Sequence, residues 1–359
     1  MQQSRGSWGW GKSLLCRAGV AVALAGAVVL GSGPAQAAPL GYLPPEVPSE
    51  PGPSQSDHLA AAWYKKAHPN AVPIGTNNFD CKPTAGRPRP VVLAHGTDSS
   101  AYSDWSGIAP QLTAAGFCVF ALNYGGKPGA ETYGTEDVVL SSYQIGAFVD
   151  QVLAATGAEK VDLVGFSQGA TVTRYYINKL GGAAKVGQWV GLASPSYGGV
   201  MYGLVPIVQA VPGGMAAFAR VTSLAAVQQA QGSTIMVELN AGGDTVPGPR
   251  YTTIGSRVDE MIQPFSNIAL RGANATNIVL QDRCSTNLTG HFHMVYDPFV
   301  QQLLLTVLDP SAPAPVCRPV AHGTGIPEVI VAGHSRGSLA AGGGGGGGGG
   351  RRPPAAPPH

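Results

Sequence analysis

Two serines of this chain stand in the pattern G-x-S-x-G: Ser167 in "VDLVGFSQGAT" (161–171) and Ser335 in "EVIVAGHSRGSLAAG" (328–342). A serine held between two such glycines, on a tight turn from a strand into a helix, presents its hydroxyl for attack on an acyl carbon. With 51 glycines and 24 serines in 359 residues, about half of one such match arises by chance. The surrounding chain has to choose between the two.

Around Ser167 an apolar, strand-like run, "VDLVGF", meets the turn, and the helix-like "QGATVTRYYINKL" follows at once. Gly165 and Gly169 remove side chains that would crowd a strained turn. The helix N-terminus adds N–H donors and a positive dipole end where an oxyanion would form. Ser335 also follows an apolar run, read as a buried strand, but polyglycine (342–350) comes soon after it and resists helix formation. No Asp or Glu follows Ser335, and the only later histidine is His359, so a serine, acid, histidine order cannot be completed from there. Ser335 is expected to be a chance match.

A serine hydroxyl near neutral pH needs an imidazole base and an acid that orients it. Downstream of Ser167, Asp259 in "RVDEMIQP" and His291 in "GHFHMVYDP" each follow a strand-like run, which would bring all three to one edge of a sheet. Three rivals remain. Asp244 precedes its strand and reads as a turn-former; Glu260 is adjacent to Asp259 but expected to point elsewhere; His293 could face the same way as His291, which is preferred because it directly follows a loop glycine. The pair His291 and His293 lacks a third ligand at metal-site spacing, so neither a metal nor a cofactor is expected. The oxyanion donors would be the backbone N–H groups of Gln168 and of Thr97, in "LAHGTDSS". His95, just before Thr97, is expected to be structural.

These residues need a scaffold that ends several strands together. Strand-like runs at 90–95, 117–123, 160–166, 186–193, 251–256 and 276–282 alternate with helical patterns at 105–115, 135–156, 168–180 and 297–308. Such alternation predicts an α/β fold, a mostly parallel sheet of about six strands with helices on both faces. The segment 196–231 is apolar and broken by Gly and Pro. It reads equally as a cap or lid over a pocket and as core helix.

Residues 1–37 carry Arg5, Lys12 and Arg17, an apolar run and "AQA" ending at Ala37, the pattern of a secretory signal peptide. A Pro-rich arm is expected over 38–56, a single catalytic domain over 57–317, and a disordered Gly/Pro-rich tail over 318–359. No later segment reads as a membrane span. Removing the signal leaves 19 Lys and Arg against 20 Asp and Glu, which gives no electrostatic case for nucleic acid. It also leaves Cys81, Cys118, Cys284 and Cys317. In an exported chain these point to two disulfides, in any of three pairings.

The blocks "PVVLAHGT", "AAGFCVFALNYG", "LVGFSQGATVTRYYINKLGGAAKV", "RVDEMIQP", "TNIVLQDRC" and "GHFHMVYDP" together resemble the secreted actinobacterial lipases of the class 2 lipase family, in order from about Phe79 to Cys317. The resemblance implies the α/β-hydrolase fold and lipase or esterase activity on carboxylic esters of lipids. It places Ser167, Asp259 and His291 at the family's triad positions and Thr97 and Gln168 at its oxyanion positions. One departure stands out: the family's usual histidine before the serine is Phe166 here, expected to pack under the turn. The pairing expected is Cys81–Cys118 and Cys284–Cys317. An extracellular monomer is expected, using no cofactor and touching a lipid interface transiently; an acyltransferase or polyester depolymerase is the alternative on the same machinery.

Overall fold

The computed structural model describes residues 39–332 apart from Tyr202. The expected signal peptide and Ser335 lie outside them. Among the described residues eight strands form in chain order: β1 (Glu50–Gly52), β2 (Ala71–Pro73), β3 (Val91–Ala94), β4 (Val119–Leu122), β5 (Val161–Phe166), β6 (Val186–Leu192), β7 (Arg250–Gly255) and β8 (Ala275–Val279). The last six make one sheet in the order β4-β3-β5-β6-β7-β8, parallel throughout. The expected strands all appear, with ends shifted by up to three residues. The largest difference is after Val279, where Leu280–Arg283 turns into a helix instead of extending the strand.

Period-2 alternation divides the core. Val91 and Leu93, with Val164, Leu192 and Ile254, face Trp105, Leu112, Phe299 and Leu304. Val92 and Ala94, with Leu163 and Trp189, face Phe148, Val149 and Ile177 on the opposite side. Two faces that are both buried explain why the strands read as continuous apolar runs. The helix Val138–Thr156 is, among the described residues, the one long and apolar enough to cross a membrane by length and composition, where the sequence reading had found none. Its Ile145, Phe148, Val149 and Val152 are buried against the sheet, which accounts for its composition.

The segment expected as an arm is tied to the body. β1 pairs in parallel with β2, Glu46 bridges Asn123, and the Glu46 carboxylate accepts from the Tyr133 hydroxyl at 2.7 Å. Segment 196–231 folds as three short helices, Leu204–Gln209, Gly214–Val221 and Leu224–Gln228. Leu204, Ile207, Val211 and Leu224 on it are exposed while Val205 and Ala225 are buried, so it forms a cap whose inner side packs into the body. Ordered chain also runs past Cys317. Residues 326–332 are helical and Ala332 is buried, although the run around Val329 reads as a strand in isolation. The disulfides are Cys81–Cys118 and Cys284–Cys317, with Cα atoms 5.8 and 5.3 Å apart.

Candidate active site

β5 delivers Ser167 to the carboxyl edge of the sheet, where the residue takes φ 51° and ψ −117° and heads the helix Gln168–Lys179. A non-glycine residue in that region of backbone space is strained, and the surrounding packing has to hold it. The two neighbouring glycines make the turn feasible. A Cβ at Gly169 would stand 1.9 Å from the Ala94 carbonyl oxygen on β3, and one at Gly165 would stand 2.3 Å from the Ala170 nitrogen.

The loops after β7 and β8 bring the other two predicted residues to this point. His291 Nε2 is 3.0 Å from Ser167 Oγ, and His291 Nδ1 is 2.9 Å from Asp259 Oδ2 and 3.1 Å from Oδ1. Asp259 is fully buried. Its Oδ1 accepts the N–H groups of Met261 and Ile262 at 2.8 and 2.7 Å, which locks the carboxylate in place. With Nδ1–H donated to Asp259, Nε2 is left to accept from the serine hydroxyl. Burial pulls the His291 pKa down, but the charge and hydrogen bond of Asp259, with the charges of Glu260 and Asp104, more than offset this. The pKa stands above its ordinary value of 6.5.

Thr97 and Gln168 adjoin each other beside the serine. Thr97 Oγ1 donates to Gln168 Oε1 at 2.7 Å and accepts from Gln229 Nε2 at 3.3 Å, so a cap residue is tied to the loop after β3. Asp104, on the helix Ala101–Trp105, holds that loop from below. Its Oδ2 accepts Gly96 N–H at 2.6 Å and its Oδ1 accepts Ser99 Oγ–H at 2.7 Å. The sequence reading missed Asp104 and Gln229. Asp104 follows "GTDSS" by a few residues and could have been found as an acid capping that loop, whereas nothing local marks Gln229.

The rivals fall elsewhere. The Asp244 carboxylate accepts from Tyr197, Arg271 and Gly272, away from the serine. His293 is on the same short helical turn as His291, but burial lowers its pKa in spite of Asp297, Glu328 and Asp57. Buried His95 stacks on Tyr124 with ring centroids 4.2 Å apart, donates from Nδ1 to the Gly96 carbonyl and accepts Tyr124 N–H at Nε2; burial pushes its pKa down to about 4. Glu260, expected to point elsewhere, instead accepts the His291 N–H at 2.7 Å. Phe166, expected beneath the turn, has its ring 5.2 Å from the His291 ring and lines the cavity above Ser167. Among the described residues no group of His, Cys, Asp and Glu is placed to hold a metal.

That cavity has a volume of about 320 Å³, and Ser167, Thr97 and His291 line it together with apolar Met201, Ile262 and Val329. A Ser-His-Asp array opening into a largely apolar cavity suits acyl transfer from a hydrophobic substrate. A family described as Lipase (class 2) matches residues 88–304. The chain belongs to the class 2 lipase family. Two relatives of this class 2 lipase chain, named triacylglycerol lipase, come from Pseudarthrobacter phenanthrenivorans and Burkholderia plantarii. Each is 40% identical over 94 residues, which is 24% of this chain and 27% and 24% of those proteins. The match therefore spans about a quarter of the curated relatives' length. Among solved structures, Aspergillus fumigatus lipase B superposes with a TM-score of 0.53 at 22% identity, over 68% of this chain and 56% of that one. The fold is that of the α/β hydrolases.

Proposed function

We propose that this chain is a secreted serine hydrolase that cleaves carboxylic esters of lipids, as a triacylglycerol lipase or esterase. The observation that carries the reading is the continuous contact from Asp259 through His291 to Ser167 at the foot of a largely apolar cavity. Ser167 Oγ attacks the ester carbonyl carbon while His291 Nε2 takes its proton, and the imidazolium is stabilised by Asp259. Backbone N–H groups of Thr97 and Gln168 hold the oxyanion. Collapse expels the alcohol, which leaves with the proton from His291. Water then adds to the acyl-serine by the same route and releases the fatty acid. The steps need no group beyond these residues and water.

Exposed apolar side chains flank cavity-lining positions on two segments: Leu204 and Ile207 follow Met201, and Ile330 and Val331 lie between Val329 and Ala332. They support a transient seat on a lipid interface. Two intact disulfides fit an oxidising compartment.

The test is hydrolysis of p-nitrophenyl esters from acetate to palmitate. Ser167→Ala should reduce kcat by at least about 10³-fold, while Ser335→Ala should leave it unchanged. Loss of activity in the second variant and not the first would overturn the assignment.

A further inference from the structure

Glu260 takes no part in the Ser-His-Asp contact, yet it is bound to the same histidine through a different atom. Asp259 engages the His291 ring, whereas Glu260 Oε2 accepts the His291 backbone N–H at 2.7 Å. The Glu260 side chain is only 8% exposed. Its second oxygen, Oε1, is buried without a hydrogen-bond partner among the described residues. Gly290, the residue before His291, leaves room for it: a Cβ there would stand 2.2 and 2.3 Å from the two carboxylate oxygens.

We propose that Glu260 is a positioning residue for the ester hydrolysis read above, fixing the His291 main chain and setting a second buried negative charge beside the imidazolium formed as Ser167 attacks. Burying a carboxylate with one oxygen unpaired costs free energy. A glutamine oxygen would accept the same N–H without burying a charge, so what glutamate contributes beyond the hydrogen bond is its charge. In a water-poor site that charge acts on the imidazolium at little screening. The groups facing His291 are then Asp259 and Glu260 from the loop after β7, Ser167 and Phe166 from the elbow, Phe292 from its own turn, and Asp104 by charge from beneath the loop after β3. Glu260 is the one carboxylate among them tied to the histidine's main chain.

The test uses Glu260→Gln in the full chain, with p-nitrophenyl butyrate as substrate. We expect kcat to fall about tenfold with KM within about twofold, and the acidic limb of kcat/KM to move to lower pH, because the imidazolium has lost a stabilising charge. Gly290→Ala, which pushes the carboxylate away, should move the limb in the same direction. An NMR titration of the His291 ring in a Ser167→Ala background, with and without Glu260→Gln, reads the same shift without turnover. A folded Glu260→Gln variant with unchanged limb and unchanged titration midpoint would sink the proposal. Absence of esterase activity in the unmodified chain would defeat the hydrolase reading alone, since the titration still decides the role of Glu260.

Discussion

In the proposed mechanism His291 must be neutral to accept the serine proton, and its environment holds its pKa above the ordinary 6.5. Activity should therefore fall as pH drops through a value above that of free imidazole, and a kcat/KM profile with its acidic limb below 6.5 would contradict the geometry. His95 titrates the other way. Folded, it resists protonation down to about 4, while the unfolded chain takes up the proton near 6.5. The unfolded state thus binds more protons between those values, and stability should decline by about 3 kcal/mol as pH falls from 6.5 to 4. Protonation would also set a ring N–H against the Tyr124 N–H that now donates to Nε2. His95→Asn should have a shallower dependence of urea-unfolding free energy on pH over that window. Ser167 offers a further test of strain. Ser167→Gly and Ser167→Ala both remove the proposed nucleophile, but glycine accepts φ 51° without penalty, so its thermal unfolding should show it about 1 kcal/mol more stable than the alanine variant.

At the scale of elements, the elbow and the sheet were legible because their signals are local: a short apolar run, two glycines and a helix with no gap between them. Asp259 and His291 were legible as residues following strands, and parallel strands put all such positions on one edge. What stayed hidden is what depends on distant packing. Strands of three residues such as β1 and β2 have too few side chains to show a period, and the contact of Glu260 with a backbone N–H thirty-one residues on leaves no mark in sequence. The run around Val329 is β-branched and apolar, as a strand would be, yet it is helical because it is docked: Gly325 packs on the backbone of Phe292 and His293. The loop carrying His291 has its own fastenings. Asn287 and Thr289 both donate to Asp297 Oδ2 at 2.6 Å, and Cys284–Cys317 closes the segment. Replacing both of those cysteines with serine should cost about 4 kcal/mol by loop entropy, read by chemical denaturation, and should lower kcat by loosening His291.

On the scale of the whole molecule, the cavity is assembled from parts far apart in sequence. His58 and Ala62 come from near the start of the described chain, Met201 and Gln229 from the cap, and Val329 and Ala332 from a helix beyond the family's matched span. Val329→Trp should therefore narrow the cavity and reduce kcat/KM for the palmitate ester more than for the butyrate ester; an unchanged ratio would show that acyl chains do not reach that wall. The four cysteines of the described residues are all consumed in disulfides, and Val329 is half-buried on the cavity wall. A cysteine introduced at 329 would thus be the single reactive thiol among those residues. An environment-sensitive fluorophore attached there would turn the protein into an optical sensor of its own occupancy, brightening as an apolar ligand displaces water from the cavity.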